Sequence, residues 1–421
     1  MSYMSDRQKY YFFIILILGA LATISPFSID MYLPGFPAIA LDLNTSIDQV
    51  QLSLTAYLVG IAFGQLLYGP LLDRFGRKRP LYVGLIIYIL ASVGCAFTES
   101  IHALIFMRFL QALGGCAGIV SAQALVRDLF PVSKTAQAFA LITLVISVSP
   151  MIAPTVGGYV TAHVGWHYVF AILAIITLLI LTASYFFLPK GRGADPTVSL
   201  KPQAVAKNFY EVIRNPQFLV YAVTGGIASA APFAYIAGSP SVFMDIYGLT
   251  EQQYGWVFAL LAFAMIGSTQ LNHIILKKFT SEQVIRFALF YQTFMGLLLV
   301  AGVYFELFNV YTLIAMMFIF FAGQGITGPN ATALSLAPFS KQAGSASALF
   351  GSWRLGAGGI ISAIVSLFHN NTALPMVTTM AACAVVGLII LTLGNFRVKY
   401  NARKRQVEEA TSIIHPASQP E

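Results

Sequence analysis

Apolar positions run in blocks of about twenty along this chain, and short clusters of Pro, Gly, Asn and charge cut the blocks apart. Twelve such blocks cover 10–32, 49–72, 80–98, 101–125, 134–161, 166–188, 217–240, 252–275, 284–305, 309–331, 343–368 and 373–395. Each is near the ~20 residues that a helix needs to cross the hydrocarbon core of a bilayer. A helix also satisfies its own backbone hydrogen bonds in lipid, so all twelve are expected as helices and none as strands. The expected fold is an all-α membrane protein with twelve transmembrane helices.

The polar gaps alternate in kind. Those after the odd-numbered blocks hold Asp42, Asp48, Glu99, Asp245, Glu251 and Glu306 but no Lys or Arg. The other gaps and both termini carry the bases, from Arg7 and Lys9 through Arg74 to Arg79, Arg127 and Lys134, Lys190 to Arg214, Lys277 and Lys278, and Lys341 to the tail. By the positive-inside rule both termini are expected to be cytoplasmic. The longest gap is punctuated by Pro and Gly and divides the chain into a six-helix half (1–188), a cytoplasmic linker (189–216), a second six-helix half (217–395) and a cytoplasmic tail (396–421). The tail lacks an apolar face and is expected to be disordered. Two similar halves suggest a repeat with a substrate site near mid-membrane where they meet.

Composition agrees with the pattern. Apolar residues make up 57% of the 421 and charged residues 10%, with a mean hydropathy of +0.76, too little polar surface to cover a water-soluble globule of this size. The net charge of +8 does not imply a nucleic-acid partner, because the bases sit between apolar runs and form no arm or stripe. Cys95, Cys116 and Cys383 lie inside apolar blocks without paired spacing and read as small apolar residues. His163 and His167 have the spacing of helical metal ligands but no third ligand nearby, so no metal and no cofactor are expected. GQGITG (Gly323 to Gly328) has no strand before it and reads as helix packing, and no phosphate-binding G-x-x-x-x-G-K-[ST] loop occurs, so energy must come from an ion gradient or from the substrate.

Three charges fall well inside apolar blocks: Asp30, Arg108 and Arg354. A charge at membrane depth is costly and is kept mainly where it meets a cavity or a partner. Asp30 lies about 20 residues along the first helix and Arg108 about 7 along one that runs the other way; at 1.5 Å per residue they reach similar depth and are expected to pair. Asp30 reads either as the end of the first helix or as a proton carrier, and Arg108 either as a structural carbonyl clamp or as the carrier's partner. Arg354 has no acidic partner evident in the second half. Tyr32, Tyr57, Gln65, Gln111, Gln123, Phe233, Tyr235, Gln324 and Asn330, with Arg354, are candidates for a weakly polar, aromatic substrate cavity.

GPLLDRFGRKRPL, Gly69 to Leu81, makes a very short loop in which Gly76 supplies a tight turn. This segment matches, at every specified position, the G-x-L-x-D-R-x-G-R-K-x-x-L signature of the major facilitator superfamily. The resemblance implies that Gly69, Asp73, Arg74, Gly76, Arg77 and Lys78 form a conformational latch with Arg127, in which Asp73, Arg74 and Arg127 hold the halves closed on the cytoplasmic side. SVSPMIAPTVGG resembles the antiporter signature of drug exporters in this superfamily, carried here by Pro150, Pro154, Gly157 and Gly158. RFLQALGG resembles the helix 4 signature whose arginine is implicated in proton coupling, which assigns that role to Arg108. SIDMYLPGFPAI, LVRDLFP and GWHYVF are similar to the bicyclomycin/chloramphenicol resistance (Bcr/CflA) branch of bacterial drug:proton antiporters. In the second half QLNHIILKKFT is only a degraded counterpart of the loop signature.

The resemblance implies a monomeric multidrug efflux transporter of the bacterial inner (cytoplasmic) membrane, working by alternating access, with small-molecule drugs, protons and the lipid bilayer as its partners. Asp30 and Arg108 would couple proton entry to drug exit. The alternatives are an exporter of a metabolite such as an amino acid or sugar, and a non-transporting membrane sensor. An intramembrane enzyme would need paired acids, a Ser/His dyad or a metal set, none of which the sequence offers.

Overall fold

The computed structural model describes residues 6–130, 132–339, 343–368 and 370–414. Pro131 of the LVRDLFP motif, Lys341 and the tail end 415–421 lie outside these. The described residues form helices and no strands, as a backbone without water to bond to requires. In the first half the helices are α1 (Asp6–Asp30), the short α2 (Phe36–Asp42), α3 (Ile47–Phe75), α4 (Lys78–Ala96), α5 (Ile101–Leu129), α6 (Val132–Val164) and α7 (His167–Phe187). After α8 (Pro202–Ile213) come α9 (Pro216–Ala228), α10 (Ala231–Pro240), α11 (Glu251–Ile275), α12 (Ser281–Tyr304), α13 (Val310–Leu336), α14 (Ala343–Leu367) and α15 (Leu374–Ile414). Among the described residues eleven helices or helix runs are long and apolar enough to cross a membrane.

Local chemistry sets many of the ends. Ser46 caps α3 by accepting from Gln49 N, and Thr250 and Thr280 open α11 and α12 with reciprocal capping boxes to Gln253 and Gln283. Between α3 and α4, Gly76 turns the chain with φ of +80° and ψ of 165°, a conformation essentially reserved to glycine. The two halves repeat one packing scheme: α3 on α5, α4 on α5 and α4 on α7 correspond to α11 on α13, α12 on α13 and α12 on α15. The halves meet along two seams, α3 against α14 and α6 against α11.

Four features depart from the expected pattern. The first apolar block does not end at Tyr32; a 3-10 turn (Leu33–Gly35) and α2 continue it to Asp42, because Pro34 and Pro37 fit the first positions of new helical turns. The block beginning near 217 breaks at Ser229 and Ala230, resumes as α10 at Ala231 with Pro232 in its first turn, and closes in a π turn (Ser241–Ile246). The linker contains α8, whose Val212 is fully buried. The tail, expected to be disordered, continues α15 to Ile414. Strong helix formers fill NARKRQVEEA and no Pro intervenes before residue 416, so the helix has no reason to stop at the end of the apolar block.

Candidate functional site

Arg108 sits at the centre of the first half and is fully buried. Its guanidinium lies 4.1 Å from the ring centres of both Tyr32 and Tyr57, and 5.7 Å from that of Phe170. Nη2 donates to Ser28 O (2.9 Å) and Nη1 to Gln111 Oε1 (2.6 Å). From there the polar chain runs on. Gln111 Nε2 donates to Ser92 Oγ (2.7 Å), Ser92 Oγ to Tyr88 O (2.7 Å), and the Tyr88 hydroxyl bonds Ser28 Oγ, returning to α1. Tyr32 is fixed in turn against Ser53 Oγ at 3.2 Å. Aromatic faces and carbonyl-type acceptors thus stand in for a carboxylate; a desolvated cation–π contact contributes about 2 kcal/mol. The closed circuit ties α1, α4 and α5 together.

The expected Asp30–Arg108 pair is not formed. Residues two apart on a helix point about 200° away from each other, so while Ser28 faces α4 and α5, Asp30 faces the second half. It is 4% exposed and has neither ion pair nor hydrogen bond among the described residues. Its surroundings are a small apolar pocket of about 70 Å³, with Pro150 of α6, Tyr235 of α10, Phe258 and Met265 of α11 and Phe321 of α13 among its walls. The Tyr235 hydroxyl, in the same pocket, also lacks a partner. Both groups stand where the two halves meet.

The glycines of SVSPMIAPTVGG make that junction possible. A Cβ at Gly157 would overlap the carbonyl of Met31, the residue after Asp30, and a Cβ at Gly158 would overlap that of Glu251 in α11. Pro154 and Thr155 backbone atoms press on Gly255 of α11. Thus α6 is wedged between the end of α1 and the other half, and the bare backbone of two consecutive glycines touches both. On the second seam, Thr55 Oγ1 donates to Ser362 Oγ (3.0 Å) and Ser366 Oγ to Gln51 Oε1 (2.8 Å). Both seams are tight toward the end of the bundle that carries the acidic loops.

At the basic end the halves part around a cavity of about 520 Å³. Gln65, Gly69, Gln123 and Arg127 line it from the first half, Asn208 and Phe209 from α8, and Ser345 and Ala348 from α14. At its mouth Arg77 donates from Nη1 to Asp73 Oδ1 (2.6 Å) and from Nε to Asp128 Oδ2 (2.8 Å). Arg192 N reaches the same Asp128 oxygen (2.9 Å), Arg74 Nη1 binds Val198 O (3.1 Å), and Asp195 N binds Asp73 O (3.1 Å). The latch expected from Asp73, Arg74 and Arg127 is therefore rearranged: Arg77 and Asp128 carry the ion pairs, Arg74 holds the linker, and Arg127 has no ion pair among the described residues. These bonds lie within the first half and its linker, not between the halves. Lys78 stands over the Tyr82 ring at 5.9 Å.

The remaining candidates divide by location. Tyr32, Tyr57 and Gln111 belong to the Arg108 circuit, Gln65 and Gln123 to the cavity, and Tyr235 to the Asp30 pocket. Phe233 packs where a Cβ on Gly358 would fall. Gln324 and Asn330 bond between helices: Gln292 Nε2 donates to Gln324 Oε1 (2.6 Å) and Asn330 Nδ2 to Asn272 Oδ1 (2.8 Å), joining α12 and α11 to α13. Within GQGITG, Gly325 admits the Met265 carbonyl. No metal-binding group of His, Cys, Asp or Glu occurs among the described residues. Asp128, Gln51 and Thr55 were not singled out by sequence, although Asp128 stands inside the quoted LVRDLFP.

Residues 16–363 match the model of the Major Facilitator Superfamily. The chain is 33% identical over 385 residues to a bicyclomycin resistance protein homolog of Haemophilus influenzae, covering 91% of this chain and 96% of that one. It is 30% identical over 395 residues to a chloramphenicol resistance protein of Pseudomonas aeruginosa, covering 90% and 89%. Among solved structures a D-xylose-proton symporter shares the fold with a TM-score of 0.71 at 16% identity, covering 91% of this chain and 97% of that one. Two seams between similar halves, a basic-end cavity and these whole-length matches agree: the chain belongs to the major facilitator superfamily of transporters, in its bicyclomycin/chloramphenicol resistance branch.

Proposed function

We propose that the chain exports small drugs across the bacterial inner membrane in exchange for protons, with twelve spans in two halves, both termini cytoplasmic, and a monomer as the working unit. In this topology α6, with Pro150 and Pro154 inside it, is the twelfth span, and the basic end faces the cytoplasm by its lysines and arginines. The single observation that carries proton coupling is Asp30, a carboxylate that has no ion pair or hydrogen bond among the described residues and lies in an apolar pocket between the halves. An isolated carboxylate is costly to keep charged in such a place, so its charge state and the shape of the junction depend on each other.

In the cycle this implies, the outward-open form lets Asp30 take a proton, and closure of the acidic end then encloses the neutral acid beside Tyr235. With the basic end open, a drug enters from the cytoplasm and disturbs the pocket walls. Asp30 releases its proton inward, the Tyr235 hydroxyl compensates the new charge, and the loaded transporter returns outward. Gly157 and Gly158 transmit the change, since they touch the end of α1 and the start of α11. Arg108 works from behind, fixing Ser28 and with it the rotation of α1. The names of the two relatives support bicyclomycin- and chloramphenicol-like cargo.

Inside-out vesicles with an imposed pH gradient and a pH-sensitive dye test the proposal. Drug addition is expected to release protons from wild-type vesicles and not from Asp30→Asn vesicles. Release triggered by a metabolite and by no drug would overturn the cargo, and equal release from both proteins would overturn the role of Asp30.

A further inference from the structure

Arg354 lies near the middle of α14 and has no ion pair or hydrogen bond among the described residues. More than a third of its surface is accessible, although it stands near the middle of a membrane-spanning helix. The face of α14 on which it stands is turned to other helices and not to lipid. Gly351 and Gly358, three before and four after it, share its face, and there α14 meets Gln65 of α3 and Phe233 of α10. Gln65 also lines the basic-end cavity, as does Ala348, six residues and about 9 Å earlier on α14. Arg354 therefore lies beyond the inner end of the basic-end cavity, on the same helix that lines it.

The charges along that path are one-sided. Asp73 and Asp128 line the mouth, but Arg77 holds both, and Arg192 N adds to Asp128. Arg127 lines the mouth and Arg354 lies about 9 Å further along α14 than Ala348, and among the described residues neither has a carboxylate partner. Asp30 lies in a separate, mostly apolar pocket that Arg354 does not line. A ligand entering from the basic end thus meets at the mouth Arg127 and a carboxylate pair that shares the single Arg77, and further along α14 the unpaired Arg354.

We infer that Arg354 is the specificity-determining anchor of the substrate cavity, selecting molecules that present a planar oxygen acceptor, best a carboxylate or similar anion, and rejecting lipophilic cations. A guanidinium offers a flat fork of donors that fits such a group in a bidentate way. A cation at the same depth is repelled in a site where low dielectric magnifies charge. The inference rests on the export reading for its biological sense, but its test reads binding alone.

The experiment measures equilibrium binding to the purified full-length protein in lipid nanodiscs of three molecules on one biphenyl frame: the 4-carboxylate, its primary amide, and the 4-trimethylammonium cation. Wild type is expected to bind the carboxylate about tenfold more tightly than the amide and the cation least. Arg354→Gln should bring carboxylate and amide together, Arg354→Glu should reverse the order in favour of the cation, and Arg354→Lys should keep part of the preference. A merely structural arginine would weaken all three ligands alike and leave their ratios unchanged. That result, a wild type that binds the cation as well as the carboxylate, or a wild type that binds none of the three, overturns the inference. Failure of Asp30-dependent proton release with the binding preference intact would instead overturn proton coupling and leave Arg354 its role.

Discussion

Ser366→Ala tests the acidic-end seam with a sign that a simple loss of packing would not give. In the closed seam Ser366 Oγ donates to Gln51 Oε1 at 2.8 Å, and Gln51 is fully buried with its amide nitrogen already without a partner. Removing the hydroxyl leaves the amide unsatisfied on both sides, at a cost of about 1–3 kcal/mol. Opening the acidic end exposes Gln51 to water and cancels that cost. The substitution therefore favours the outward-open form by about 5- to 150-fold, since every 1.4 kcal/mol is a factor of ten. Replacing both partners, as in Gln51→Met with Ser366→Ala, should return the balance close to wild type, because no polar group is then stranded.

Leu41 of α2 and Leu307 after α12 are exposed on opposite halves at this end and are suitable sites for spin labels. The three native cysteines are buried and should remain unlabelled. Pulsed electron spin resonance on the labelled pair should show the long-distance population rise in Ser366→Ala and fall back in the double variant. An unchanged distribution in the single variant, or a double variant equal to the single, would refute the reasoning.

Three further substitutions probe the rest of the site. Gly157→Ala places a methyl group on the Met31 carbonyl and should cost about 1–3 kcal/mol of overpacking, read as a lower melting temperature together with reduced transport. Arg108→Lys keeps the charge but loses the planar stack on Tyr32 and Tyr57 and one of the two hydrogen bonds, so thermal unfolding should show a loss of about 2 kcal/mol. Asp128→Asn leaves Arg77 with Asp73 alone and frees Arg192 N; transport should fall, and protease cleavage in the linker near Arg192 should speed up.

What could be read in the sequence was what depends on short range. Runs of about twenty apolar residues, basic and acidic gaps and the Gly76 turn are local properties. Partnership across helices is not. Asp30 and Arg108 share a depth, but depth leaves rotation open, and the two-residue offset between Ser28 and Asp30 sends them to opposite sides of α1. Arg74 and Arg77 sit in one loop, and only the fold shows that Arg77 turns inward to Asp128 while Arg74 reaches the linker. Gln51 and Thr55 look like ordinary span residues until α14 is laid beside them. Gln324 and Asn330 were ambiguous for the converse reason: a polar residue in a span serves equally as a cavity wall or as a bond between helices. Helix α8 escaped notice because the polar residues of its linker mask a single buried face.

The central claim is that Asp30 couples the substrate to the proton and is not needed for the substrate to cross. Inside-out proteoliposomes measured in two modes decide it most directly: substrate exchange at equal pH on both sides, and substrate accumulation driven by a pH gradient with the lumen acidic. Asp30→Asn is expected to keep exchange near the wild-type rate and to lose accumulation. Gradient-driven accumulation by Asp30→Asn at the wild-type level would contradict the account.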